Sequence, residues 1–563
     1  MFRRVSYCLS NFLYIPIFEE GATWKIVAFS KGFSDFHFQG IDFLKRARYN
    51  GIDNFCKKLQ NKQARCVMEF KREVYGPTMQ KYLEKAESLK PVLKTQTVEA
   101  LGDFGVMKCK DQKIFDFGNH FVGYVKMRFS VPAGKIDAPM AFVVTFAETK
   151  TDLKYVDPLE MQGTISGGWV QQEFIRVEEF PCDYVFERRY ACRYVQVLCI
   201  GSSSSYQCSI DRVEMLECTS ANKDVPAYGR NAEEKAIDEI SIRTLRSCMQ
   251  DVFEDGPKRD RRLWLGDLRL QALVNYETYQ NYDLVKRCLY LFAGLLDDDG
   301  RVPGSVFTKP ENKAGSKMFD YPLLFIPTLY EYMVASNDKE TAEELYETAL
   351  LQLAIAKSRT DEAGLVSEEK VKEWCFIDWT YGLDKVSCGQ AVYIYALKAM
   401  VLLAKSLGKD CSAFEREIEQ TSKASIDKYF DKDLGLFVGK DGQISYAMNV
   451  WFCLAQVFDS ATNRSILKKL EQQENVIKPV TPYMYHYYVQ ALIDCGESEK
   501  AYELIMNYWG GMVKMGTNTF FEVYNPENPM ECPYRNVALL SQCHAWSCTP
   551  SYFLRKYYYK EKK

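Results

Sequence analysis

The sequence predicts a multidomain α and β protein in which an antiparallel, jelly-roll-like β-sandwich is followed by an (α/α)6 barrel. Three observations carry this. Residues 101–218 alternate apolar and polar side chains in short runs, and residues 234–563 repeat apolar side chains at i, i+3, i+4 and i+7. Between them, residues 219–233 (TSANKDVPAYGRNAE) are polar and carry Pro and Gly, the composition of a linker. A chain of 563 residues is also too long for one hydrophobic core.

Residues 1–100 are mixed, and their fold is uncertain: they form a separate region or part of the β-sandwich. Within them, KREVYGPTMQKYLEKAESLKP reads as one helix. The β-sandwich spans 101–218. Its strands are YVKMRFSV, MAFVVTFAE, WVQQEFIRVEEF, RYVQVLCI and SIDRVEML, rich in Val, Phe, Tyr and Ile and separated by Gly, Pro, Asp and Ser turns. After the linker, helical periodicity appears in 235–253, 265–280, 283–296, 320–336, 340–357, 387–406 and 411–429. It continues in 445–458, 463–474, 482–495, 498–509 and 535–548. Twelve helices in succession suit six hairpins closed into a barrel, and an open α-solenoid shares the pattern. In a closed barrel the loops of the inner helices converge at one end, where polar residues can line a pocket.

Bulk properties exclude some classes. A net charge of -3 leaves no electrostatic footprint for nucleic acid or an anionic membrane. No window reaches 18 uninterrupted apolar residues, so no membrane span is expected. The apolar run near the N-terminus is broken by Ser, Asn and Pro and reads as no signal peptide, so a cytoplasmic location is expected, with secretion left open. The 19 cysteines include no CxxC pair, and no set has zinc-ligand spacing, so neither a metal nor a cofactor is expected.

Four clusters in the helical half combine acids with aromatics. Asp255–Asp267 (DGPKRDRRLWLGD) packs three carboxylates, four cations and a tryptophan behind a Gly-Pro turn. Glu373–Trp379 (EWCFIDW) brings two acids beside two tryptophans, Thr517–Glu522 (TNTFFE) is a β-prone run ending in a carboxylate, and His544–Ser547 (HAWS) lies inside an apolar helical pattern. Aromatic faces stack on the C–H faces of a pyranose while carboxylates grip hydroxyls and carry protons, so these clusters point to a carbohydrate ligand. Glycoside cleavage needs two carboxyl groups flanking the bond. Spacing alone cannot bring two of these acids together, and a non-catalytic glycan-binding protein fits the composition as well.

The order of the clusters resembles the α-L-rhamnosidases of glycoside hydrolase family 78, six-hairpin glycosidases. That family carries D-x-P-x-R-D-E-R-L-G-W-T-G-D at the start of its barrel, a D-W pair midway, a late W-E and an H-G-W-S-x-G-P run near the end. Here the chain reads DGPKRDRRLWLGD, IDW, FFE and HAWSCTP, preceded by FDFGNHFVGY and FERRYACRYVQV, which resemble the family's non-catalytic sandwich. The resemblance covers 101–556.

It implies an inverting hydrolase releasing terminal α-L-rhamnose or a similar sugar, with Asp260 as general acid and Glu522 as general base. Asp255, Trp264, Asp267, Asp378, Trp379, His544 and Trp546 would bind the sugar. The opening stretch is one residue short, so Arg261 competes with Asp260 for the acid position, and an arginine there could not donate a proton near neutral pH. Each residue also has a plainer role: Asp260 in a salt bridge, Asp267 in a helix first turn, the tryptophans and His544 in a core. His486 reads as core or rim. The alternatives are an inactive glycan-binding homologue and a six-hairpin enzyme for another sugar such as a uronic acid. A carbohydrate or glycoside is the expected partner, and a homo-oligomer is compatible with the sequence.

Overall fold

The computed structural model describes residues 71–153, 165–529, 531–534 and 536–559, together with four short strands nearer the N-terminus. The chain divides into two compact units, Met1–Val67 and Met68–Lys563. In the first, β1 (Leu13–Tyr14) pairs antiparallel with β4 (Ala28–Phe29), and β2 (Phe18–Glu20) with β3 (Thr23–Lys25). The rest of 1–70 lies outside the described residues.

The second unit opens with the expected helix, α1 (Arg72–Ser88), which packs on the helical region and not on the sheet. Sheet pairing starts at β5 (Lys94–Glu99), earlier than residue 101. It continues through β6 (Leu101–Gly102), β7 (Gly105–Met107), β8 (Gln112–Gly134), β9 (Met140–Ala147), β10 (Gln172–Val177), β11 (Cys182–Val185), β12 (Tyr190–Gly201) and β13 (Tyr206–Thr219). All nine join one antiparallel sheet. The 23-residue β8 holds it together by pairing with β12 along its first half and with β13 along its second. Its alternate side chains, among them Phe115, Phe117, Val125, Met127 and Phe129, fill the sheet's core. A methyl group on Gly123 would strike the Leu216 carbonyl, so this crossing requires glycine.

Twelve helices follow one another beyond residue 231. They are α2 (Ala232–Cys248), α3 (Leu265–Glu277), α4 (Tyr282–Gly294), α5 (Asp320–Ser336), α6 (Lys339–Ser358), α7 (Lys385–Ser406), α8 (Ser412–Tyr429), α9 (Tyr446–Leu454), α10 (Ser460–Glu471), α11 (Pro482–Asp494), α12 (Ser498–Lys514) and the one-turn α13 (Pro550–Phe553). Side-chain caps start many of them: Asn231, Asn281, Asp338, Asp384, Ser445, Asp459 and Thr481 each accept a first-turn amide. Packing separates two sets. Helices α3, α5, α7, α9 and α11 contact one another in succession, and α12 and α13 both return to α2. In α9 all but the first residue is buried, whereas α8 buries only Thr421 and Ser425. Helix α7 is long and apolar enough to cross a membrane, yet 72% of its most apolar window is buried inside the protein, as in a core helix.

One expected helix is absent. Residues 536–548 form two 3-10 turns joined by irregular chain, because this segment pairs with another irregular one. Ser541 O accepts the Glu522 amide, Phe520 O accepts the His544 amide, and Thr519 Oγ1 donates to Gln542 O. His544 therefore sits in an irregular segment and not inside a helix.

The sheet and the helices meet through a buried ion pair. Arg189, two residues beyond Glu187 on the approach to β12, donates to both Glu254 carboxylate oxygens and to Gln250 Oε1. Arg189→Met strands the Glu254 charge in the interior and is expected to cost about 3–5 kcal/mol. The denaturant midpoint of the variant checks this; an unchanged midpoint overturns it.

Candidate active site

A cleft of about 1000 Å3 opens where the loops of the helical region meet the sheet. It gathers eight of the nine residues singled out from the sequence: Asp255, Asp260, Trp264, Asp267, Trp379, Glu522, His544 and Trp546.

The stretch after α2 folds around the Asp255 carboxylate. Its Oδ1 accepts the Arg262 amide at 3.0 Å and its Oδ2 the Asp260 amide at 3.3 Å, while the Asp255 amide donates to Arg262 O. Gly256 is obligatory in this loop, since a Cβ there would meet Arg259 O at 2.3 Å and Ser541 Oγ at 2.8 Å. The loop turns Asp260 and Arg261 in opposite directions. Asp260 faces the cleft. Arg261, at φ 60°, turns to the sheet, donating to Pro257 O and Arg189 O with its guanidinium over Trp169.

Arg259 joins the two proposed catalytic carboxylates. Its Nη1 lies 3.1 Å from Asp260 Oδ1, its Nη2 donates to Glu522 Oε2, and its Nε donates to Leu539 O. The guanidinium lies 4.3 Å from the centre of the Tyr534 ring, whose hydroxyl donates to Glu522 Oε1. Trp546 Nε1 donates to Glu522 O, and Ser547 Oγ to Phe521 O, which tie the glutamate to the HAWS segment.

Deeper in the cleft, His544 stands between Asp255 (Nε2–Oδ2, 3.9 Å) and Asp267 (Nδ1–Oδ1, 3.7 Å). His544 Nδ1 and Asp267 Oδ1 are buried without a hydrogen-bond partner, the kind of polar atoms that sugar hydroxyls can satisfy. Burial, reinforced by Arg259, holds the imidazole neutral far below its ordinary titration range. Burial raises the Asp267 carboxyl well above its ordinary value, and the nearby Asp255 and Glu522 add to this.

Aromatic rings form the walls. Trp264 meets Tyr321 and Trp374 edge-on, Phe376 stacks on Trp546 at 5.7 Å, and Trp379 stands edge-on to Tyr534. Trp169, Ile165 and Ser166 line the cleft from the sheet side. Of these, Arg259, Tyr321, Trp374, Phe376, Tyr534 and Trp169 carry no role in the sequence reading. Arg259, Trp374 and Phe376 lie inside its quoted clusters, and only their partners distinguish them from neighbouring cations and core rings.

Asp378 is a correction. Its buried carboxylate accepts the amides of Trp379, Val480 and Thr481 and the hydroxyls of Thr380 and Thr481, and it does not line the cleft. With its oxygens occupied by the chain, it anchors the Trp379 loop to the start of α11 instead of binding a ligand. Glu373, in the same cluster, is likewise taken up by Arg301 and Arg359. His486 is buried among Tyr487, Tyr552 and Phe553.

Two family models match the chain: the glycosyl hydrolase family 78 α-rhamnosidase N-terminal domain over residues 78–217, and the bacterial α-L-rhamnosidase six-hairpin glycosidase domain over 231–558. Among solved structures, a rhamnosidase from Klebsiella oxytoca with rhamnose bound is 36% identical; the match covers 85% of this chain and 98% of that one, with a TM-score of 0.81. The family 78 rhamnosidase of Bacillus sp. GL1 shares the fold at 22% identity and a TM-score of 0.68, over 81% of this chain and 47% of that one. The Streptomyces avermitilis α-L-rhamnosidase complexed with L-rhamnose does so at 15% and 0.62, over 83% and 44%. No curated protein matches in sequence.

The Asp255 carboxyl is pushed from its usual 3.8 up to about 8 by burial and then by the neighbouring Asp260. Between about 4 and about 8 the folded protein keeps a proton that the unfolded chain has released, so this group's contribution to stability falls as pH rises through that window. Asp255→Asn is expected to flatten the decline in a thermal-melting series across it. An identical pH slope in variant and parent refutes the assignment.

Proposed function

Since the chain belongs to glycoside hydrolase family 78 and is a glycosidase, we propose that it releases terminal α-L-rhamnose, or a closely similar deoxy-sugar, with inversion. The observation that carries this is the Arg259 bridge, which sets Asp260 and Glu522 on one cleft with a fixed spacing. Two hydrogen-bond lengths plus a guanidinium's width put the bonded oxygens at most roughly 8 Å apart. That upper bound admits the separation of about 6.5–9.5 Å at which a water fits between base and sugar.

In this reading Asp260 protonates the departing oxygen. Its amide donates to the Asp255 carboxyl, which burial and the neighbouring Asp260 raise to about 8. Glu522, oriented by Arg259 and Tyr534, has lone pairs left to draw a proton from water. Asp255, Asp267 and His544 take the sugar hydroxyls, and the rings of Trp264, Trp379 and Trp546 cover its apolar face. The packing sequence α3, α5, α7, α9, α11, α13 inside and α2, α4, α6, α8, α10, α12 outside supports six hairpins closed into an (α/α)6 barrel. The uronic-acid reading has less support, because Arg259 is committed to carboxylates already present and Lys385 donates to Asp378 O, which leaves Arg262, over the Phe307 ring and 3.8 Å from Asp260, as the cation to bind a uronate.

A panel of α-L-rhamnosides with good and poor leaving groups tests the roles. Asp260→Asn is expected to lower kcat about 10²–10⁴-fold on poor leaving groups and far less on good ones, which need no acid. Glu522→Gln lowers both alike, and Arg261→Met leaves kcat nearly unchanged. The first anomer seen by NMR should be inverted relative to the substrate. Wild-type turnover that survives both carboxylate substitutions overturns the assignment, and no hydrolysis of any rhamnoside overturns the substrate.

A further inference from the structure

Behind the catalytic loops, where the sheet meets the helices, a second cluster of chemically active groups is sealed from solvent. His120 on β8, Glu148 just beyond β9, and Cys543 beside His544 place one ligand atom each within 4.8 Å of the others. The His120 and Glu148 side chains are wholly buried, with His120 Nε2 3.4 Å from Glu148 Oε1, and neither atom has a hydrogen-bond partner. We propose that these three side chains form a structural zinc site that pins the sheet to the segment carrying His544.

Three features support a metal over a plain ion pair. First, the unpaired imidazole nitrogen and carboxylate oxygen are the atoms that face each other, while the opposite atom of each is held, and the Cys543 thiol makes only a long contact of 3.9 Å to Thr244 O. His120 Nδ1 bonds Ser247 Oγ at 3.0 Å, which leaves Nε2 as the ligating nitrogen. Glu148 Oε2 accepts the Gln542 amide at 2.6 Å, which leaves Oε1. Second, the 3.4 Å between Nε2 and Oε1 suits two ligands on a tetrahedral ion with bonds of about 2.0–2.2 Å, whose donor atoms sit about 3.4 Å apart. Third, imidazole, carboxylate and thiolate together select zinc over the hard cations.

The nearby ammonium of Lys258 approaches the other face of Glu148, 3.3 Å from Oε2, and is balanced by Asp152 at 3.0 Å. The Cys248 thiol lies against Cys543 and donates to Asp255 O. Neither the spacing of these residues along the chain nor any local motif announces the set, because positions 120, 148 and 543 meet only in the fold.

The site is separable from the sugar chemistry, so its test does not depend on knowing the substrate. Purified full-length protein dialysed against zinc and then against buffer should retain one ion per chain by elemental analysis. Cobalt loaded in its place should give a near-ultraviolet thiolate-to-cobalt band that Cys543→Ser abolishes. Ser247→Ala, which frees the far side of the imidazole, should weaken zinc binding about 10–100-fold. Removing the metal with a chelator should lower Tm by several degrees. Wild-type protein that holds no zinc after loading, or a cobalt form without the thiolate band, overturns the proposal whether or not the variants fold. Zinc content unchanged in soluble His120→Ala overturns it too, and leaves the cluster as a buried imidazole–carboxylate pair.

Discussion

One guanidinium sets the geometry of the cleft. Arg259 reaches Asp260, Glu522 and Leu539 O from its three nitrogens and rests on the Tyr534 ring, so three stretches of chain are indexed to a single rigid plane. An arginine fits where a lysine would not, because its planar fork presents several donors at fixed angles and stays charged when buried. Two carboxylates in a dry site would repel each other and drift apart in geometry. With a cation wedged between them, they stay at a spacing set by bond lengths, and the loop at 255–262 and the irregular segment at 532–544 are forced into register. Gly256 and the bonds from Ser541 to Arg259 O follow from that demand for close approach.

The inner end of the cleft has the opposite character. Around His544 and Asp267, polar atoms are buried and left unpaired, an arrangement that costs stability in a protein interior. The surrounding aromatic rings hold these atoms rigid and dry. Preorganisation of this kind means a ligand meets donors and acceptors already desolvated and aimed, so little reorganisation remains when it binds.

Much of this was legible in the chain before any coordinates, and the limits have physical causes. Asp255, Asp260 and Asp267 sit within thirteen residues, so their association needed only local folding. The choice between Asp260 and Arg261 did not yield to the sequence, because it turns on a backbone reversal at Arg261 that has no compositional signature. Asp378 sits beside a tryptophan in a promising cluster, yet its fate depends on amides a hundred residues away at Val480 and Thr481. The helical periodicity of 535–548 was real but misleading. Its apolar residues are buried by docking against 519–523 and not by coiling into a helix. Strand and helix periods elsewhere tracked the structure well, because burial of one face imposes them directly.

The way the sheet enters the cleft has a consequence for how such a protein can change over evolutionary time. Trp169, Ile165 and Ser166 close one wall of the pocket, and Arg189 grips Glu254 immediately before the loop that carries Asp260. A module that furnishes part of the pocket and the foundation of a pocket-lining loop is not freely exchangeable for another of similar shape. The two halves should therefore be inherited together, with recombination at the polar joint between them disfavoured even though it resembles a natural breakpoint. Novelty in substrate choice would then arise by substitution around the rim, not by shuffling whole modules.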